Sequence, residues 1–142
     1  MEISEVRKRV LETIDRAKRA AAERRTRADE AARKYETFLN QIAVPLFRHV
    51  ASALRPENYP FTLFTPGGSV RLMSDRSADD YIELVLDTSG PEPRVVGHAS
   101  RGRGRRVLES ETALGDGGPV RDLTEQDVLD FVLKELGPFV ER

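Results

Sequence analysis

The chain has 142 residues, and 33% of them are charged, but 23 lysines and arginines against 24 aspartates and glutamates leave a net charge of -1. This length accommodates one domain with a substantial core and an appendage. The near-zero net charge excludes a global attraction to DNA, RNA or anionic membranes, so any nucleic-acid binding needs a local patch. The absence of cysteine excludes disulfides, thiolate zinc sites and cysteine nucleophiles.

The sequence has no segment typical of a membrane span or a secretory signal. No stretch approaches the roughly 18 consecutive apolar residues of a spanning helix. The first thirty residues alternate acids, bases and alanines without an apolar core. We therefore expect a cytoplasmic protein that does not associate with membranes.

The N-terminal segment predicts one long helix. From Glu2 to about Ala43 there is no glycine or proline, and alanine, glutamate, arginine and lysine dominate. Acids repeatedly stand four residues before bases, as in Glu5 with Arg9, the favourable orientation for helical ion pairs. We predict that residues 1–44 form a helical arm for oligomerisation or docking, and that residues 45–142 form a small α+β domain.

Apolar and small residues recur along this helix three or four positions apart, as in a coiled-coil seam. The seam consists of Ile3, Val6, Val10, Ile14, Ala17, Ala21, Ala28, Ala31, Tyr35, Phe38 and Ile42. One interpretation is that only the C-terminal third, from Tyr35, packs on the chain's own domain while the rest projects. The other, which we favour, is a self-associating coiled coil, because a helix of about 40 residues spans about 60 Å and exceeds what the remaining domain can cover.

Beyond the helix the apolar period changes from about 3.6 to 2. Pro45 opens "VPLFRHVASAL", which predicts either a kink or a new short helix. Five alternating runs then predict strands at 61–65, 69–74, 80–88, 94–100 and 105–114. The short, turn-like spacers between them favour an antiparallel sheet in sequence order.

The C-terminal segment "LTEQDVLDFVLKELGP" predicts a helix that covers the sheet. Thr124 with Asp127 three residues later is typical of a helix start, and Gly137-Pro138 is typical of a helix end. The predicted fold class is therefore α+β: a long, coiled-coil-like N-terminal helix, then a five-stranded antiparallel meander covered by a C-terminal helix.

Residues suited to catalysis are few. His49 and His98 are the only histidines, and neither stands near a nucleophile or a second ligand in the sequence. Acids cluster around the second predicted hairpin, at Asp75, Asp79, Asp80, Glu83 and Asp87, but without EF-hand spacing. The glycine-rich segments lack the lysine of a phosphate-binding loop. We expect a non-enzymatic protein with no catalytic residues, no metal and no cofactor.

The stretch "SRGRGRR" places Arg101, Arg103, Arg105 and Arg106 at a predicted hairpin tip, with Arg94 one strand away. If strand alternation persists through the tip, the first three share a face, and arginine forks bind phosphates or carboxylates. Alternatively, these arginines pair with the protein's own acids, because the part after Pro45 has 12 bases and 16 acids.

Two functions remain from the sequence. The first is an interaction module that self-associates, or docks to a protein partner, through its N-terminal helix and presents the sheet domain as a binding surface. The alternative is a nucleic-acid-binding accessory protein that uses the arginine tip, helped by Arg24, Arg25 and Arg27 on the helix.

Overall fold

The computed structural model describes residues 1–141 and confirms the predicted α+β class. Its helices are α1 (Ile3–Phe38), α2 (Val44–Leu54) and α3 (Glu125–Glu141), and its strands are β1 (Phe61–Phe64), β2 (Val70–Ser74), β3 (Tyr81–Asp87), β4 (Arg94–Arg103) and β5 (Arg106–Ala113). The sheet order is β1-β2-β3-β4-β5, and every neighbouring pair is antiparallel. The chain thus forms the meander that the short spacers predict.

The helical backbone does not stop between α1 and α2. It passes through one wider π-helical turn, Leu39–Ala43, in which the Val44 N–H donates to the Leu39 carbonyl five residues earlier. Pro45 then falls in the first turn of α2, where its missing N–H costs little. The result is a new short helix that continues directly from the long one.

One face of the sheet packs against the helices. Val70, Leu72, Ile82 and Leu84 are fully buried there, in one core cluster with residues of all three helices. On β4, a Cβ atom added to Gly97 would lie 2.3 Å from the ring of Phe131 of α3. Glycine therefore lets α3 approach the sheet closely.

Within residues 1–141 no helix covers the other face of the sheet, but not every side chain on that face is exposed to solvent. Glu83 lies there and is only 9% exposed. Its Oε2 accepts hydrogen bonds from Arg71 Nε at 2.9 Å and from the Ser69 hydroxyl at 3.2 Å. The Arg71 guanidinium also stacks 4.1 Å from the ring centroid of Tyr81. Alternation correctly predicts the side on which Glu83 lies, whereas its burial comes from polar neighbours on adjacent strands.

The two ends of α3 differ in how they match the prediction. At the start, the Asp127 N–H donates to the Thr124 hydroxyl, and the Thr124 N–H donates to Asp127 Oδ2 at 2.9 Å. At the other end, the expected stop at Gly137-Pro138 is wrong, because the helix continues to Glu141. Phe139 is buried and meets the ring of Phe61 edge-on at 5.6 Å, so apolar packing holds the last turn despite the proline.

Candidate functional site

The first five turns of α1, residues 3–20, form an exposed arm. Every residue in this arm is solvent-exposed. Val10 is 50% exposed, Leu11 56% and Ile14 44%, although these side chains are apolar. Leu11 lies on the flank of the predicted seam, directly after Val10, and the predicted seam did not include it. The arm is thus a helix with an apolar stripe that nothing in the described chain covers.

The stripe of the arm continues into the core along the same helix. Two series repeat every seven residues: one runs from Ile3 through Val10, Ala17 and Ala31 to Phe38, and the other from Ile14 through Ala21 and Ala28 to Tyr35. Tyr35 and Phe38 are buried, and Ile42 packs against the same core. The seam therefore consists of an exposed N-terminal part and a part buried in the chain's own domain.

The buried part of the seam makes specific contacts. The Tyr35 hydroxyl donates to the Leu84 carbonyl of β3 at 3.2 Å. Burial, and secondarily the charge of Glu83, raises the pKa of Tyr35 above its ordinary value. Nearer the arm, the half-buried Ala31 lines a crevice opposite Pro93 and Val120. The domain therefore occupies this face of α1 from about Ala28 onward.

The arginine tip is a two-residue hairpin between β4 and β5. Arg103 pairs directly with Arg106 across the strands, and Arg101 pairs with Leu108. Gly104 has a φ of +62°, as the first central residue of a type II′ turn requires. The alternation ends at this turn, so Arg106 shares the face of Arg101 and Arg103, and Arg105 occupies the turn itself.

One carboxylate fixes the base of this hairpin. The last residue pair between β3 and β4 is Tyr81 with Ser100, so the hairpin extends beyond the third strand from Arg101 onward. Asp80 is 1% exposed, and its Oδ1 accepts a hydrogen bond from the Gly102 N–H at 2.8 Å. The acids near the second hairpin, considered above for a metal, therefore include one that positions the arginine hairpin.

The arginines of this tip differ in their surroundings from Arg71 and Arg94, which pair with acids. Within residues 1–141, no carboxylate lies within 4.0 Å of Arg101, Arg103, Arg105 or Arg106, so the expected pairing with the protein's own acids is not found there. Like charges directly opposite each other across strands are destabilising, which makes the Arg103–Arg106 pair costly.

The other bases considered for this site lie elsewhere. Arg94 stands at the opposite end of β4, nine residues from Arg103, and pairs with Asp87 at 3.6 Å. Nine residues of strand span about 30 Å. Arg27 of α1 lines the crevice beside Pro93, near that far end, and Arg24 and Arg25 lie on the same exposed helix segment. The structure therefore does not group these four bases with the tip.

The two histidines lie in different elements of the fold. His49 is exposed on α2, and His98 lies on the helix-free face of the sheet between Glu83 and Glu111 in the strand register. In the described part of the chain, no three side chains of histidine, cysteine, aspartate or glutamate come together as metal ligands. Three of the acids near the second hairpin instead pair with arginines: Asp75 with Arg55, Glu83 with Arg71 and Asp87 with Arg94.

No helix within residues 1–141 combines the length and apolarity needed to cross a membrane. Comparison of the chain with protein-family models, with curated proteins and with solved structures finds no match. The exposed arm and the arginine tip are the candidate functional sites in the described chain.

Proposed function

We propose that this protein is a non-enzymatic module that self-associates through the exposed arm of α1 and displays its sheet domain as a binding surface. The observation that carries the proposal is the continuation of the seam, interrupted at Arg24: a stripe buried at Tyr35 and Phe38 continues, in the same helix, to apolar side chains that are exposed at Val10 and Ile14.

Burial of this stripe would supply a substantial driving force. Complete burial of a fully exposed valine, leucine or isoleucine contributes about 1.5–3 kcal/mol, and Val10, Leu11 and Ile14, which are about half exposed, have about half of that left to gain. The intrahelical ion pairs of the arm, Glu5 with Arg9 and Asp15 with Arg19, are solvent-exposed and contribute at most about 0.5 kcal/mol each. A covering partner is therefore a stronger source of stability for the arm than its own surface charges.

A second copy of the chain fits the arm better than a strongly charged partner. Residues 2–20 contain four acids and six bases in alternation, so the arm lacks a single-sign surface that would select an acidic or basic protein. Its spacing of apolar residues is that of helices that pair with each other.

Sedimentation velocity over a range of protein concentrations tests the proposal. We expect the wild type to form a dimer or larger species at high micromolar concentration. Ile14→Asp should give a monomer with unchanged circular dichroism of the sheet domain, because a carboxylate is costly to desolvate in the seam. Thr26→Asp is the matched control: it makes the same charge change at an exposed position on the opposite face of α1. A wild type that stays monomeric at high concentration would refute the proposal.

A second candidate function is nucleic-acid binding by the arginine tip. The specific observation in its favour is that Arg103 faces Arg106 and neither has a carboxylate partner among residues 1–141. Phosphates would neutralise this charge, and arginine binds them through two parallel hydrogen bonds. The tip has no aromatic residue to stack on bases, so binding should depend little on base sequence.

The salt dependence of binding tests this candidate. Each neutralised phosphate lowers log K by about 0.7–0.9 per unit of log salt, so four contacts give a slope near -3. The double substitution Arg103→Glu with Arg105→Glu should remove about two phosphate contacts, and the slope of log K against log salt should become less steep by that amount. Arg48→Glu with Arg121→Glu makes the same charge change at exposed positions elsewhere and should leave the slope nearly unchanged. Absence of wild-type binding to single- and double-stranded DNA and RNA at low salt would eliminate this candidate.

A further inference from the structure

We infer that two copies of the arm pair antiparallel, with Val10 of each chain opposite Ile14 of the other, so that the two sheet domains lie at opposite ends of the paired helices. This inference rests on the proposed self-association and adds the orientation and register of the partner, which spacing in the sequence alone leaves open.

The domain's own position argues against a parallel pair. Tyr35 and Phe38 are buried in the core on the seam face of α1, and Ala31 on that face lines a crevice whose other wall includes Pro93 and Val120. A parallel partner helix would have to run along this occupied face. Helix α1 is one α-helix from Ile3 to Phe38 with no glycine or proline to bend it. Two such helices that pack at the shallow angle of about 20° typical of long seams stay close together along their length. The partner helix would therefore collide with the domain where the domain covers the seam.

An antiparallel partner meets no such obstacle. When Val10 stands opposite Ile14, Ile3 of the partner, the first residue of its α1, stands opposite Ala21. The partner's α1 thus begins before the half-buried Ala28, where the domain starts to cover the seam. In the other direction the partner's helix runs past Met1 and away from the first domain. The free length of the seam therefore matches the overlap that this register needs.

Side-chain size and charge favour the same register. Ile3 meets Ala21, so a large side chain faces a small one, as close packing of the two helices requires. Arg7 meets Ala17, and its long aliphatic stem can cover the alanine while the guanidinium reaches water. In a parallel pair Arg7 would meet Arg7 and Arg24 would meet Arg24 within the seam, whereas in the antiparallel register neither arginine faces its own copy.

Disulfide trapping in the full-length chain distinguishes the two orientations, because the protein has no cysteine of its own. The variants are Ile3→Cys and Ala21→Cys, each made separately. In the antiparallel pair the two copies of residue 3 are about 27 Å apart along the helix axis, at 1.5 Å per residue, far beyond the Cα separation of about 7 Å that a disulfide tolerates. We therefore expect a covalent dimer only when the two variants are mixed and oxidised.

A second pair and a control make the result decisive. Arg7→Cys mixed with Ala17→Cys should also form a covalent dimer, while Glu12→Cys, on the outer face of the arm, should not. Rapid cross-linking of Ile3→Cys alone would show a parallel pair and overturn the inference. So would a dimer in sedimentation that neither mixture traps. A protein that sediments as a monomer at all concentrations instead contradicts the proposed self-association itself, and the inference falls with it.

Discussion

The two halves of α1 carry the same apolar spacing but lie in opposite environments. In the C-terminal half, Tyr35 is 5% exposed and Phe38 is 4% exposed, whereas in the N-terminal half Val10 and Ile14 remain about half exposed. The difference follows from what each half can reach. The sheet and the turn at Val120–Asp122 lie beside the C-terminal half, and no part of the described chain extends to the N-terminal half. Spacing predicts which face of a helix is apolar, and the rest of the chain determines whether that face is covered.

The size of the seam side chains also differs along α1. The buried half uses aromatic side chains that fill the space between helix and sheet, while the middle of the helix uses Ala21 and Ala28. Alanine leaves room for close approach but offers little apolar area. The exposed half returns to larger residues at Val10 and Ile14, which is the pattern expected of a second, separate contact rather than of a helix that simply leaves the core.

The largest expected effect comes from truncating the seam in its buried half. Phe38→Ala should lower the free energy of unfolding by about 3–5 kcal/mol, because it removes a buried ring and leaves a cavity. Ile14→Ala should leave the unfolding of the monomer almost unchanged and weaken only self-association. Urea denaturation at low protein concentration measures the first, and sedimentation measures the second. Equal destabilisation of the monomer by both substitutions would remove the distinction between the two halves.

A close contact between the sheet and α3 gives the next largest effect. A Cβ at Gly97 would lie 2.3 Å from the ring of Phe131, so Gly97→Ala should cost about 1–3 kcal/mol through displacement of α3. Gly137→Ala is the matched control, since nothing lies within 4 Å of a Cβ there and alanine favours a helix by up to about 1 kcal/mol. The midpoint of thermal unfolding should fall for Gly97→Ala and rise for Gly137→Ala. Unchanged stability of Gly97→Ala would contradict the tight packing between the sheet and α3.

The sequence predicts much of this architecture and less of the site. The period of two in β3 places Ile82 and Leu84 on the core side, and the short spacers imply the antiparallel order, because both are local properties. The stop at Gly137-Pro138 was predicted wrongly because the contact of Phe139 with Phe61 joins distant parts of the chain. For the same reason the sequence could not show that Asp80 anchors Gly102. The distance of Arg94 from the tip, by contrast, follows from their nine-residue separation along β4 and could have been predicted.

A smaller effect tests the hydrogen bond that ties the buried half of α1 to the sheet. Tyr35→Phe leaves the Leu84 carbonyl without this hydroxyl, which should cost about 1 kcal/mol at neutral pH. Because the pKa of Tyr35 is raised in the folded protein, its contribution is fully present below the unfolded value of about 10 and is lost as the pH rises above it. The wild type should therefore lose stability in alkaline solution more steeply than Tyr35→Phe in urea titrations at successive pH values. Parallel pH profiles would contradict this role of the hydroxyl.

The smallest expected effect concerns the arginine hairpin. Like the arm of α1, it is exposed, and its residues are not those that would stabilise the fold best. Arg106→Glu places an acid opposite Arg103 and replaces a like-charge pair with an opposite-charge pair, so the free energy of unfolding should rise by about 0.2–1 kcal/mol. Arg105→Glu, in the turn, changes the net charge equally without a partner directly across the strand and should give a smaller gain. Raising the salt concentration should reduce the difference between the variants, because the pair is exposed to solvent.

If Arg106→Glu instead destabilises the protein at low salt, Arg106 contributes to the fold and its unpaired charge no longer argues for a phosphate ligand. If Arg106→Glu raises the free energy of unfolding and weakens nucleic-acid binding, the like-charge pair lowers the stability of the hairpin but supports binding. A turn with a purely structural role would not show this combination.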